Sequence, residues 1–156
     1  MNYRLLLRYL GVFLLALALP LAVSALWAVW YGEWRSLESF LRTIVLTVGG
    51  GFTLWGVGRG ARVRVYEREG LALVALGWLL IAGVSALPYV FAGLMDPSSA
   101  YFESMSGYTT TGASVLVEVE PVDKSLLFWR ATTHWLGGMG IIVLFVAFLT
   151  SVGAGA

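Results

Sequence analysis

Long apolar runs alternate with short polar segments along this chain. A membrane span needs about 20 residues, and four runs reach that length: 9–30, 38–58, 70–93 and 124–150. Proline lies inside two of them, at Pro20 and Pro88, where membrane helices tolerate it. The pattern predicts an all-α integral membrane protein with four transmembrane helices. It divides the chain into a two-helix hairpin over 1–60, a loop over 61–69, a helix–loop–helix unit over 70–150 and a tail over 151–156.

The first apolar run has the basic start of a signal peptide, which is the alternative to a span. The run from Tyr9 to Trp30 is longer than a signal h-region of roughly 7 to 15 residues. No small-residue cleavage site follows it. Aromatic residues typical of a membrane interface follow instead, namely Trp27, Trp30, Tyr31 and Trp34. We therefore expect the run to remain in the protein as a span.

Composition strengthens the membrane interpretation and excludes several functions. Hydrophobic residues make up 59% of the chain and charged residues only 12%, whereas a soluble domain carries about 25% charge. A net charge of +1 gives no basic field for nucleic acid. The chain has no cysteine, which excludes disulfides and thiolate metal sites. Its single histidine is His134. No nucleophile–base pair, metal cluster or phosphate loop is present, so we expect neither an enzyme nor a cofactor.

The basic residues predict an orientation. Six arginines flank the first span or fill the loop after the second, and positive residues favour the cytoplasmic side: Arg4, Arg8, Arg59, Arg62, Arg64 and Arg68. A multi-pass protein of the plasma membrane with both termini in the cytoplasm follows. The opposite side holds most of the acids, and Glu118, Glu120 and Asp123 follow the third span there. Either they concentrate cations at a pore mouth, or they are ordinary solvated loop residues.

The segment between the third and fourth runs is too short to cross a membrane and too apolar for an ordinary loop. Asp96-Pro97 is a good helix start, and we expect a short helix through Ser98 to Ser106 that Gly107 ends. Such a helix crosses about half a bilayer. A re-entrant helix and an interfacial amphipathic helix are the alternatives. The segment lacks the basic face usual for interfacial helices, which favours the re-entrant one.

Three threonines and a glycine follow that helix, at Thr109, Thr110, Thr111 and Gly112. β-branched residues and glycine are poor helix formers. Non-helical backbone at membrane depth is tolerated only inside protein or against water. A turn there directs carbonyl oxygens at an axis, which is how cation filters replace the hydration shell of an ion. A polar helix-packing patch is the alternative.

The run Thr109–Ser114 and a second signature after it together resemble the first membrane–pore–membrane repeat of the Trk/Ktr/HKT potassium-uptake superfamily. The second signature, over 128–144, has the pattern F-W-R-x-x-x-x-W-x-G-G-M-G-I-I-V-L. The resemblance covers residues 70–150, and residues 1–60 fit by their two-helix layout. It implies a subunit of a bacterial or archaeal inner membrane that passes potassium as its substrate.

The resemblance implies a role for each residue of the Thr/Gly run. The filter backbone corresponds to Thr110, Thr111, Gly112 and Ala113, with potassium bound through the backbone of the first three. Thr109, Ser114 and Tyr108 are then filter supports. The last two positions depart from the TVGYG pattern of potassium channels, which implies a less sharp separation of potassium from sodium. Whether the hydroxyls of Thr109 and Thr110 brace the loop or face the pore is open.

Five residues of the fourth span are candidates for a structural or gating role: Arg130, His134, Gly137, Gly138 and Gly140. Ionisable residues within a membrane are functional candidates by default. For Arg130 the alternatives are snorkelling and a pair with Glu103, and for His134 a packing role rather than a proton-linked switch. The glycines would allow close approach of the pore helix or a neighbouring repeat.

A filter needs about four such loops around one axis, and this chain has one. We therefore expect a truncated tail and three further repeats, on the same longer chain or on other copies. The resemblance implies a homodimer of the longer subunit and a cytoplasmic nucleotide-binding regulatory partner, with membrane lipid around the spans and no nucleic acid. The alternative is a non-transporting fragment that packs against a full-length transporter subunit.

Overall fold

The computed structural model describes residues 2–60 and 67–153, without the side chains of 67–69 and 144–153. These residues form five α-helices and no strand: α1 Tyr3–Tyr31, α2 Trp34–Val57, α3 Glu67–Phe91, α4 Pro97–Tyr108 and α5 Lys124–Gly153. Residues 61–66 of the predicted basic loop, with Arg62 and Arg64, lie outside the described residues, as do the side chain of Arg68 and residues 154–156 of the predicted tail. The backbone of 67–69, the rest of the predicted loop, belongs to α3.

Three helices within the described residues are long and apolar enough to cross a membrane: Tyr3–Tyr31, Trp34–Val57 and Gly70–Phe91. They coincide with the first three predicted spans, so the all-α, multi-pass prediction is confirmed. The predicted fourth span falls on α5, and its crossing stays a prediction. Each of the four long helices extends a few residues beyond its apolar run at one or both ends.

The first two helices pack as a hairpin through glycines. A Cβ on Gly11 would lie 2.6 Å from the Trp55 nitrogen and 2.7 Å from the Gly51 carbonyl oxygen. At the start of α1, a Cβ on Gly58 would lie 2.6 Å from the Arg4 carbonyl oxygen. Such close backbone approach is typical of small-residue packing in membranes. Gly51 of α2 and Gly58, which caps the end of α2, therefore pack on α1.

The hydrophobic core brings together buried residues of all five helices. Trp129 of α5 is fully buried at its centre, edge-on to Phe40 with 6.3 Å between the ring centroids. The Trp129 indole N–H donates to the Ser85 carbonyl oxygen of α3 at 3.0 Å. A buried tryptophan usually finds such a partner, and here the partner fixes α5 against α3.

The short helix α4 packs between α3 and α5. The sequence predicts that Gly107 ends this helix, and that prediction is wrong, since α4 continues to Tyr108. A Cβ on Gly107 would lie 2.4 Å from the Thr133 hydroxyl oxygen of α5. The glycine is therefore present for close helix packing, and helix termination passes to the threonines that follow.

Candidate functional site

The start of α4 is fixed by its acidic N-cap. The Asp96 carboxylate accepts the backbone N–H groups of Ser98 at 3.0 Å and Ser99 at 3.2 Å. The Ser98 hydroxyl donates to the same carboxylate. These hydrogen bonds favour the ionised form, so they hold the pKa of Asp96 well below its ordinary value. The predicted Asp-Pro helix start is confirmed by this cap and by Pro97 in the first turn.

The end of α4 is a Schellman turn built on threonine. The N–H of Thr110 donates to the Gly107 carbonyl at 2.9 Å, and the N–H of Thr111 donates to the Ser106 carbonyl at 3.0 Å. Thr110 occupies the left-handed position of this motif with a φ of 55°. Glycine usually takes that position. A β-branched residue there is a strained outlier, so the turn is held by its surroundings rather than by local preference.

Threonine hydroxyls brace the same turn. The Thr109 hydroxyl donates to the Met105 carbonyl at 2.8 Å and lies 2.8 Å from the Thr111 hydroxyl. The Thr110 hydroxyl donates to the Thr109 carbonyl at 2.7 Å. Both hydroxyls whose role the sequence leaves open therefore bond within the turn.

Three consecutive carbonyl groups follow this turn with no internal partner. In the part of the chain that the structure describes, the carbonyl oxygens of Thr110, Thr111 and Gly112 accept no hydrogen bond. Gly112 has a φ of +76°, a conformation that L side chains rarely adopt. The next carbonyl, of Ala113, accepts the Ser106 hydroxyl at 2.6 Å. Ser106 thus ties the returning chain to α4 just after the three free carbonyls.

Tyr108 anchors the C-terminal end of α4 in the protein. Its ring is buried and packs edge-on to Trp78 with 5.9 Å between the ring centroids. Its hydroxyl lies 2.9 Å from the Ser85 hydroxyl. Ser85 therefore contacts both α4, through Tyr108, and α5, through Trp129.

A buried carboxylate lies behind the returning chain. The side chain of Glu103 in α4 is fully inaccessible and forms an ion pair with Arg130 of α5. It also accepts the Ser114 hydroxyl at 3.0 Å and the Val115 backbone N–H at 2.9 Å. Of the two alternatives for Arg130, snorkelling and a pair with Glu103, the structure contains the ion pair. Glu103 itself is not among the candidate residues from the sequence, although an acid inside a short apolar helix is a signal for one.

The other candidates on α5 contact α4 to different degrees. A Cβ on Gly137 would lie 2.3 Å from the Tyr108 carbonyl oxygen, whereas the nearest atom to one on Gly138 is the Thr110 methyl at 3.9 Å. A Cβ on Gly140 would lie 3.3 Å from the Trp78 ring. The His134 Nδ1 lies 2.9 Å from the Arg130 carbonyl oxygen, one turn earlier on α5. Gly137 is therefore the position where the α5 and α4 backbones come closest among these three glycines.

The acids near the segment after the Thr/Gly run divide into two groups. Glu118 and Glu120 are exposed. Asp123 accepts the Ser36 hydroxyl of α2. The Glu33 carboxylate accepts the N–H groups of Lys124 at 2.7 Å and Ser125 at 2.9 Å, so it caps the start of α5 from the loop between α1 and α2. The second group thus attaches the N-terminal hairpin to α5.

Long apolar helices, a short polar-capped helix between two of them and an exposed Thr/Gly turn define a multi-pass helical membrane protein.

Comparison with known proteins identifies the family within this class. A family model, TrkH, described as cation transport protein, matches residues 61–156. The Trk system potassium uptake protein TrkH of Halomonas elongata is 37% identical over 99% of this chain. The protein of the same name from Escherichia coli K12 is 34% identical over 99% of it. The chain belongs to the TrkH family.

A solved structure resembles this fold. The crystal structure of the potassium transporter TrkH from Vibrio parahaemolyticus matches 96% of this chain with a TM-score of 0.89 and 33% sequence identity. This chain covers 32% of that structure's chain and 32% of each of the two curated relatives. The resemblance predicted from the Thr/Gly run and the second signature is therefore confirmed at the level of the family.

Proposed function

We propose that this chain contributes one of four filter segments to a potassium-uptake pore in the plasma membrane. The observation that carries the proposal is the row of free carbonyl oxygens at Thr110, Thr111 and Gly112. Carbonyl oxygens in such a row replace the hydration shell of a potassium ion. The family membership and the names of the relatives, which are potassium uptake proteins, support potassium as the ion.

Two further features support a re-entrant position for α4. Its 12 residues span about 18 Å, roughly half a bilayer. Its C-terminal end, which carries partial negative charge, directly precedes the free carbonyls. A cation that loses water there meets this end and the carbonyls together. Ala113 remains in the proposed filter, because a carbonyl oxygen that accepts one hydrogen bond keeps a second lone pair.

The remaining parts of the proposal concern assembly. The other three segments come from further repeats around the same axis, the longer subunit forms a homodimer, and a nucleotide-binding regulatory subunit contacts its cytoplasmic side. Both termini of this chain lie in the cytoplasm. The chain covers 32% of its curated relatives, which supports the presence of further repeats in a working pore.

Transport is tested in a chimera in which residues 1–156 replace the matching third of the Escherichia coli relative. The host strain lacks potassium uptake and is grown at limiting potassium. We expect the chimera to restore growth and Gly112→Asp to abolish it, because a carboxylate side chain there disturbs the carbonyl row. Gly32→Asp is the matched control: Gly32 has a φ of +70°, and no atom of the described residues lies within 4 Å of a Cβ at either glycine.

The same strain separates transport from the alternative of a non-transporting interaction fragment. The proposal is contradicted if the chimera with Gly112→Asp still restores growth. It is also contradicted if the unchanged chimera restores none. Residues 1–156 are also expressed alone. Growth in that case would mean that four copies assemble the filter, and no growth would assign the other segments to further repeats of a longer chain.

A further inference from the structure

An ion pair between Glu103 and Arg130 lies behind the proposed filter, and the proposed function gives it no role. Glu103 lies in the middle of α4, and its side chain has no exposed surface. Arg130 reaches it from α5 with 28% of its own side chain exposed. A buried ion pair is weak evidence of a role in stability, because apolar residues of similar volume often serve as well. The other hydrogen bonds of Glu103 therefore indicate its role better than the ion pair does.

Glu103 holds the chain that leaves the filter. One carboxylate oxygen accepts Arg130, and the other accepts the Val115 N–H at 2.9 Å. The Ser114 hydroxyl lies 3.0 and 3.1 Å from the two oxygens. Ser106, three residues further along α4, holds the Ala113 carbonyl. Residues three apart lie on one face of a helix. One face of α4 thus attaches three successive residues of the returning chain.

These attachments define the two ends of the carbonyl row. The strained turn at Thr110 fixes the inner end to the C-terminus of α4. Glu103 and Ser106 fix the outer end to the same helix. Between the two ends lie only the free carbonyls of Thr110, Thr111 and Gly112. Their spacing is therefore set by a closed loop of contacts, of which only the Glu103 contacts are charge-assisted and so strong.

From this arrangement we infer that Glu103 is a positioning residue for ion selectivity, with Arg130 orienting its carboxylate. The inference rests on the proposed filter function and adds to it the residues that hold the filter's outer end. Loss of the tether frees Ser114 and Val115. The carbonyl row then adjusts to a smaller ion, so sodium competes better with potassium. The Trp129 core lies on contacts other than the tether, and the exchange comparison below reports whether the fold is kept.

The test uses the chimera reconstituted in liposomes. Rubidium uptake is measured as a potassium probe, with increasing sodium as competitor. We expect Glu103→Gln to increase sodium inhibition about tenfold, the effect of losing one strong charge-assisted contact. Arg130→Lys keeps the positive charge and should change sodium inhibition less than Arg130→Gln does. The matched control is Glu38→Gln, which breaks the exposed pair of Glu38 and Arg42 on α2, and we expect no change.

A second measurement follows the tether itself in the purified chimera. Amide hydrogen exchange is compared over residues 113–116, where Glu103→Gln should accelerate exchange, and over 85–92 of α3, where it should not. Faster exchange at 113–116 with unchanged sodium inhibition would overturn the selectivity role. Unchanged exchange would overturn the tether. Either result leaves the Gly112→Asp test intact, so failure of this inference is distinguishable from failure of the proposed function.

Discussion

Among the three α5 glycines whose surroundings the structure describes, Gly137 is least able to accept a side chain. A Cβ added there would lie 2.3 Å from the Tyr108 carbonyl oxygen, and backbone cannot move aside as a flexible side chain can. We expect Gly137→Ala to destabilise the chain by about 1–3 kcal/mol, the usual range for overpacking. Gly138→Ala, whose nearest contact would be 3.9 Å away, should be tolerated. Unfolding in detergent measures both, and equal stability of the two variants would contradict this packing.

At the residue scale, the sequence identifies the Thr/Gly run because its residue types are unfit for a helix. It does not identify which hydroxyl bonds to which carbonyl. The sequence misses Ser106 and names Glu103 only as an alternative partner of Arg130, since the contacts of both with Ala113, Ser114 and Val115 form only after the chain reverses. The left-handed Thr110 is also unpredictable, because threonine disfavours that conformation.

At the scale of elements, we expect the stability of the first turn of α4 to depend on pH through its N-cap, Asp96. Hydrogen bonds from Ser98 and Ser99 depress the pKa of Asp96 in the folded protein. A depressed pKa stabilises the folded state above the ordinary carboxyl pKa of about 4, and this contribution is lost as the pH falls below that value. We expect the amides of Ser98 and Ser99 to lose protection from hydrogen exchange in acid, relative to their intrinsic exchange rates.

Asp96→Asn supplies the comparison for that prediction, because asparagine is also a good N-cap but does not titrate. The ratio of exchange rates between the variant and the unchanged chain cancels the intrinsic pH dependence. That ratio should change as the pH falls from about 6 to about 2. A ratio that stays constant would mean that the Asp96 charge does not support the helix.

The start of α5 has a cap from outside its own segment. Glu33 accepts the N–H groups of Lys124 and Ser125, and an anion is also favoured there by the helix dipole. Glu33→Ala should cost about 0.5–2 kcal/mol of unfolding free energy, as for other lost caps. Glu38→Ala, on the exposed surface of α2, should cost at most about 1 kcal/mol. Urea titration in detergent compares them, and equal losses would argue against the cap.

The elements themselves are largely predictable, because apolar length and the Asp-Pro start depend on neighbours in sequence. The end of α4 is not predictable from the same signals. Gly107 looks like a helix terminator, yet its lack of a side chain makes room for Thr133 of α5. A glycine required by tertiary packing and one required by a turn are indistinguishable until the packing is known.

At the scale of the whole molecule, the N-terminal hairpin supports the unit that carries the proposed filter. Ser36 donates to Asp123, and Trp27 of α1 stacks on Phe128 of α5 with 4.8 Å between the ring centroids. These contacts join segments that are 87 residues (Ser36 and Asp123) and 101 residues (Trp27 and Phe128) apart in sequence. The sequence predicts the hairpin and the helix–loop–helix unit separately, since nothing in the apolar pattern records which helices become neighbours.

The central claim, that the chain at Gly112 lines an ion path, is tested most directly by the reversal potential of the chimera in bilayers with potassium and sodium gradients. Gly112→Ala and Gly32→Ala impose a similar backbone strain of about 1–2 kcal/mol, because both glycines have a positive φ in open space. We predict that Gly112→Ala shifts the reversal potential toward that of sodium and that Gly32→Ala leaves it unchanged. An identical reversal potential for both variants would contradict the claim.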